Sequence, residues 1–186
     1  MDLLAKLPFR VFSPDYPDAY VMDFERLVHL NTVDLLKALM VLEGSSLVAV
    51  AWFEDPVKET RNWRDDVFFV SASTAADDYW SFITRNVVEF GQNRATSEMR
   101  APWLIFAERI GACSNLGTWC IYGEKFAEIA LLGIKRTTAL SLPNELQTKF
   151  GIERLADALK RETFFCEPGN EYSKEQRAIL RSAYLS

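Results

Sequence analysis

The chain has 186 residues, 49% of them hydrophobic and 25% charged, with a formal net charge of −5. That length suits one domain burying roughly 70% of the surface its unfolded chain would expose, and the composition excludes extended disorder. The acidity lies in residues 1–93, with 8 Lys/Arg against 15 Asp/Glu, whereas residues 94–186 hold 13 against 11; such a surface repels nucleic-acid phosphates and attracts cationic partners, or serves only to keep the protein in solution.

Cys113, Cys120 and Cys166 make an odd count without C-x-x-C spacing, so neither a disulfide framework nor a zinc site is expected. The start of the chain lacks the basic segment, apolar run and cleavage site of a secretory leader. No apolar segment approaches a membrane span, because 35–42 and 47–53 are broken by Glu43-Gly44-Ser45-Ser46. The expectation is a cytoplasmic protein with reduced thiols that binds neither membrane nor nucleic acid.

Along the chain, Pro8 ends a weakly amphipathic start. Pro14 and Pro17, with Asp15 and Asp18 beside them, predict loop or extended backbone, and residues 1–30 are expected to form an extended N-terminal arm. Asp15, Asp18, Asp23 and Glu25 all precede Arg26, with Tyr16 and Tyr20 among them. Tyrosine beside carboxylate suits a surface that reads a cationic partner. The plainer reading packs the tyrosines on the body and leaves the acids in water.

Thr32 predicts the cap of a helix from 33 to about 42, with Leu35, Leu36, Leu39 and Met40 on one stripe. Residues 47–53 read as a strand and 54–66 as a polar surface loop. In that loop Trp63, close to Asp65 and Asp66, is either an exposed anchor or folded under the loop. A strand over 67–71 follows, then a helix over 75–90 capped by Thr74, with Tyr79, Phe82, Ile83, Val87 and Phe90 at helical spacing. Asp77 and Asp78 fall in its first turn, where carboxylates favour the helix dipole. Residues 91–101 are a connection.

The strongest structural signal spans 103–133. Residues 103–107 read as a buried strand and Ser114-Asn115-Leu116-Gly117 as a turn. Trp119-Cys120-Ile121-Tyr122 then pairs with 126–132 in a hairpin about Gly123-Glu124-Lys125. Ala127, Ile129 and Leu131 are expected to face the core, with Phe126, Glu128 and Ala130 opposite. A further strand is expected over 134–142, then a helix from Pro143-Asn144. The Ile152, Leu155, Ala156 and Leu159 stripe predicts a helix over 152–162, and Ser173 with Gln176 makes a capping box for a last helix through Ile179, Leu180 and Tyr184. The sum is an α+β fold, one domain with a mainly antiparallel sheet of about five strands packed with helices.

No catalytic set emerges. The single histidine, His29, sits between Val28 and Leu30, and an enzyme reading would join it to Cys113 or Cys120, or use Glu108, Glu124 and Glu128. Carboxylates on a hairpin turn and edge strand are expected to be solvated. The eight glycines form no G-x-G-x-x-G or P-loop pattern, so no nucleotide cofactor is expected.

The run Gly117-Thr118-Trp119-Cys120-Ile121-Tyr122-Gly123-Glu124-Lys125-Phe126-Ala127-Glu128-Ile129-Ala130-Leu131, preceded by a helix bearing Trp80, resembles the immunity proteins of bacterial polymorphic-toxin systems, contact-dependent or type VI secreted. The resemblance covers residues from about 78 to 132 and consists of a Trp-centred strand, a Gly/acid/base turn and a Glu-containing apolar strand. It implies a non-catalytic protein that binds and neutralises a cognate toxin with a basic surface. The expected contacts are Tyr16, Asp18, Tyr20 and Asp23, with Trp63, Asp65 and Asp66 second. An assembly adaptor is the other non-catalytic reading.

Overall fold

The computed structural model describes residues 12, 15–52, 67–90, 98–102, 109–125, 128–135, 142–161 and 171–184. Strand β1 (Asp18–Asp23) leads through a 3-10 turn (Phe24–Val28) into helix α1 (Thr32–Glu43), followed by β2 (Val48–Trp52), β3 (Val67–Val70) and α2 (Ala76–Thr84). Then come β4 (Asn86–Phe90), β5 (Glu98–Pro102), β6 (Arg109–Ser114), β7 (Trp119–Glu124) and β8 (Ile129–Ile134). The chain closes with α3 (Asn144–Phe150), β9 (Glu153–Arg154), α4 (Leu155–Ala158) and α5 (Glu171–Tyr184). Seven strands form one antiparallel sheet in the order β3-β2-β6-β7-β8-β1-β9, and β4 and β5 pair separately.

The α+β class is as expected, but the sheet has seven strands, not about five. The added members are legible in hindsight. Pro14 and Pro17 precede β1 rather than interrupt it, and Tyr20-Val21-Met22 is buried on both faces, the run of a strand covered on both sides. Thus residues 18–23, read as part of an N-terminal arm, lie inside the sheet between β8 and β9. Strand β9 has two residues, too few to show a period. The expected strand over 103–107 lies outside the described residues.

Two apolar layers grip the sheet. On one face, Tyr20, Met22, Val48, Val50, Trp119, Ile121 and Leu132 pack with Leu35, Leu36 and Leu39 of α1 and Tyr79 and Ile83 of α2. Phe68 closes this layer at the sheet edge, its ring 5.5 Å from Tyr79 and 5.0 Å from Phe82. On the other face Phe12, Val21, Ile129 and Leu131 meet Leu155, Ala158 and Leu159 at α4 and Leu180 of α5. Every residue of β8 is therefore buried. The expectation that Ala127, Ile129 and Leu131 alone would face a core holds for Ile129 and Leu131 but misses the second core, which takes Ala130 and Leu132; Phe126 and Ala127 lie outside the described residues.

Four helices depart from expectation: the last, α5, begins at Glu171, so Ser173 lies inside it and not at its cap. Thr32 does not cap α1, because Asn31 occupies that position; the buried Thr32 hydroxyl instead lies 2.6 Å from both the Arg26 and His29 carbonyls, tying the 3-10 turn to α1. Helix α2 ends at Thr84, and 86–90 pairs with 98–102. Val87-Val88 supplies the reason, since β-branched side chains lose rotamer freedom in a helix and suit a strand. The N-cap of α2 is Ala75, not Thr74, whose hydroxyl accepts the Ser71 amide at 2.9 Å instead; Asp78 reaches back to the Ala75 amide at 3.0 Å, one half of a capping box. The helix expected over 152–162 is split: Gly151 in a left-handed conformation ends α3, and Glu153-Arg154 joins the sheet before α4.

Candidate protein-binding surface

The acidic segment read from the sequence runs along β1 and into α1. Asp15, Asp18, Asp23, Glu25 and Asp34 are exposed there, against one exposed arginine, Arg26. Asp18 and Asp23 mark the two ends of a six-residue strand, about 17 Å apart on opposite faces of the sheet. Among the described residues, the outer edge of β1 pairs with β9 only at Tyr20 and Val21, leaving both aspartates beyond that contact. Asp23 also accepts the Glu25 amide at 2.8 Å and so caps the 3-10 turn.

The two tyrosines have structural roles. Tyr16 is half-buried, and its hydroxyl donates to the Gly117 carbonyl at 2.9 Å, fastening the N-terminal segment to the β6–β7 turn. Tyr20 is 4% exposed, with the Arg154 guanidinium 6.0 Å from its ring centre. Asp18, Tyr20, Arg154 and Tyr184 contribute to a cavity of about 80 Å³ at this edge. That is far below the roughly 300 Å³ of a small-molecule site, and fits one inserted side chain. Trp63, Asp65 and Asp66 lie outside the described residues.

A carboxylate not singled out in the sequence organises the neighbouring end of the sheet. Glu43, the last residue of α1, accepts the Ser114 hydroxyl at 2.6 Å, the Thr118 amide at 3.2 Å and the Thr118 hydroxyl. Burial opposes its ionisation, but the bonds from Ser114 and Thr118 outweigh that and hold its pKa below the ordinary value. Gly44 in a left-handed conformation ends the helix here, placing the carboxylate over the turn. Because the folded pKa is the lower one, this stabilisation is present above the ordinary carboxylate range and is lost as pH falls through the folded value. Glu43→Gln is expected to cost about 1 kcal/mol near pH 7, where the partly exposed carboxylate is ionised, and progressively less as pH falls through the folded pKa, read from urea midpoints across that range.

The glutamates weighed for acid–base work have separate fates. Glu124 is fully buried, contrary to the expectation of a solvated turn residue, because β7 continues through Gly123 and Glu124 into the interior of the sheet. Its Oε2 is 3.0 Å from Arg109 Nε and accepts the Tyr122 hydroxyl at 3.2 Å. Glu128 is exposed in the left-handed region at φ 56°, turning the β7–β8 connection, and Glu108 lies outside the described residues. His29 is exposed, and its Nδ1 accepts the Asn31 amide at 3.3 Å. It stands at the start of α1, whereas Glu43 at the other end, about 18 Å along the helix, contacts Ser114 beside Cys113. The imagined pairing of His29 with Cys113 or Cys120 has no geometric basis.

Among the described residues, no group of three or more His, Cys, Asp or Glu side chains is arranged to hold a metal ion, and no helix is long and apolar enough to cross a membrane. Comparison with protein-family models, curated proteins and solved structures finds no match for the chain.

Proposed function

We propose that this chain is an immunity protein that binds a cognate secreted bacterial toxin with a basic surface and neutralises it by occluding its active site or substrate path. The observation that supports this reading is the exposure of five carboxylates against one arginine between residues 15 and 34. Charge of one sign speeds encounter with a basic partner and suppresses wrong ones. Asp18, at the rim of the small cavity on the β1 edge, is the central contact, and Asp23, at the far end of the strand, is a separate second contact.

Charge reversal tests the assignment. Asp18→Lys is expected to weaken toxin binding about tenfold to hundredfold at low salt, with the loss shrinking as salt rises. For the second aspartate, Asp23→Asn removes the charge while keeping an oxygen for the Glu25 amide. Calorimetric titration against the toxin domain reads both effects, and unchanged affinity for Asp18→Lys at low salt moves the interface elsewhere.

A further inference from the structure

Cys113 and Cys120 stand directly opposite each other across the β6–β7 pair. Along an antiparallel strand, successive residues turn their N–H and C=O alternately to one neighbour and the other. The Asn115 amide donates to the Leu47 carbonyl at 2.9 Å, so Asn115, and Cys113 two residues before it, present their backbone groups to β2. The Lys135 amide donates to the Thr118 carbonyl at 2.7 Å, so Thr118 and Cys120 present theirs to β8. Cys113 and Cys120 are consequently a non-hydrogen-bonded pair, the class with Cα atoms about 4.5 Å apart and side chains closest. Disulfides span Cα separations of about 4.4–6.8 Å. Both side chains project from the same face, Cys113 exposed and Cys120 half-buried.

We propose that Cys113 and Cys120 form a redox-responsive dithiol that closes to a cross-strand disulfide on exposure to a low-molecular-weight disulfide such as glutathione disulfide. The Cys113 thiolate attacks one sulfur of glutathione disulfide, expelling one glutathione thiolate and leaving a mixed disulfide. The Cys120 thiolate then attacks Cys113 Sγ and expels the second glutathione. Two protein thiols lose two electrons and two protons, and one glutathione disulfide becomes two glutathione thiols. Burial pushes both protein thiols up, Cys120 to about 12 with Cys113 beside it contributing. The more exposed Cys113 therefore attacks first, and closure accelerates as pH rises above neutrality. The closed form staples the hairpin whose turn carries Ser114 and Thr118, the partners of Glu43, and is expected to melt at higher temperature.

The test is peptide mapping of the folded protein after incubation with glutathione disulfide and blocking of remaining thiols. Trypsin releases residues 110–125, which contain both cysteines and no internal cleavage site, while Cys166 falls in a different peptide. The expected product is that peptide two hydrogens lighter and closed to alkylation, formed faster at mildly alkaline pH than at neutrality. Cys120→Ser is expected to stop at the glutathione adduct of Cys113. A wild-type peptide that keeps glutathione on Cys113 with Cys120 still alkylatable, or that stays fully reduced while the urea-unfolded chain closes, would overturn the proposal. A disulfide from Cys113 to Cys166 would do the same.

Discussion

Arg109→Ala is expected to destabilise the protein by about 3–5 kcal/mol, because it strips a fully buried carboxylate of a charged partner. Glu124 has no exposed side-chain surface, whereas Arg109 retains 22%, so the two halves of the pair are unequal. Losing the arginine leaves a negative charge that water does not reach. Losing the glutamate leaves a cation that partly can be hydrated, and Glu124→Gln should therefore cost less. The Tyr122 hydroxyl softens the first loss without cancelling it, being a neutral donor at 3.2 Å. Replacing the pair together by Met and Leu is expected to recover most of the stability, since desolvating two charges offsets much of their attraction. Urea unfolding of the three variants reads this directly; an Arg109→Ala midpoint within error of wild type would show the pair to be energetically idle.

The second large effect is expected at Gly133. A Cβ built there would sit 2.6 Å from Phe12 Cδ2 and 2.8 Å from Phe12 Cγ, distances that real side chains do not tolerate. Phe12 is buried at 6% exposure and belongs to the cluster beneath α4 and α5, so its ring has little freedom to move aside. Gly133→Ala is expected to cost about 1–3 kcal/mol through overpacking. The same change made with Phe12→Leu should cost less than the sum of the two single changes, because the smaller side chain removes the collision. Strict additivity in denaturant midpoints would mean that the ring does not press on this backbone.

Much of this fold follows from patterns in the chain, and the departures have physical causes. The Leu35, Leu36, Leu39 and Met40 stripe produced α1, and the β-branched and aromatic run at 119–122 produced β7. Strand β6 is Arg-Ile-Gly-Ala-Cys-Ser, whose small residues carry little strand propensity; its place comes from pairing with β2 and β7. Strand β1 was obscured by its flanking prolines and aspartates. The candidate surface was legible in charge alone: Asp18 and Asp23 are exposed, while Tyr16 and Tyr20 proved to be fasteners of the fold. Glu43 was invisible because its three donors come from residues 71 and 75 positions away. Glu124 was misread for a related reason, since an acid after glycine looks like a turn until the strand is seen to continue through it.

The central claim is that this chain protects a cell by binding a toxin. It is tested most directly by co-expressing it with the terminal domain of any large secreted protein whose gene adjoins its own and following growth. Restored growth, with a stable complex recovered and rescue weakened by Asp18→Lys, is the expected result. Continued killing in cells that hold soluble chain, with no complex formed, would contradict it.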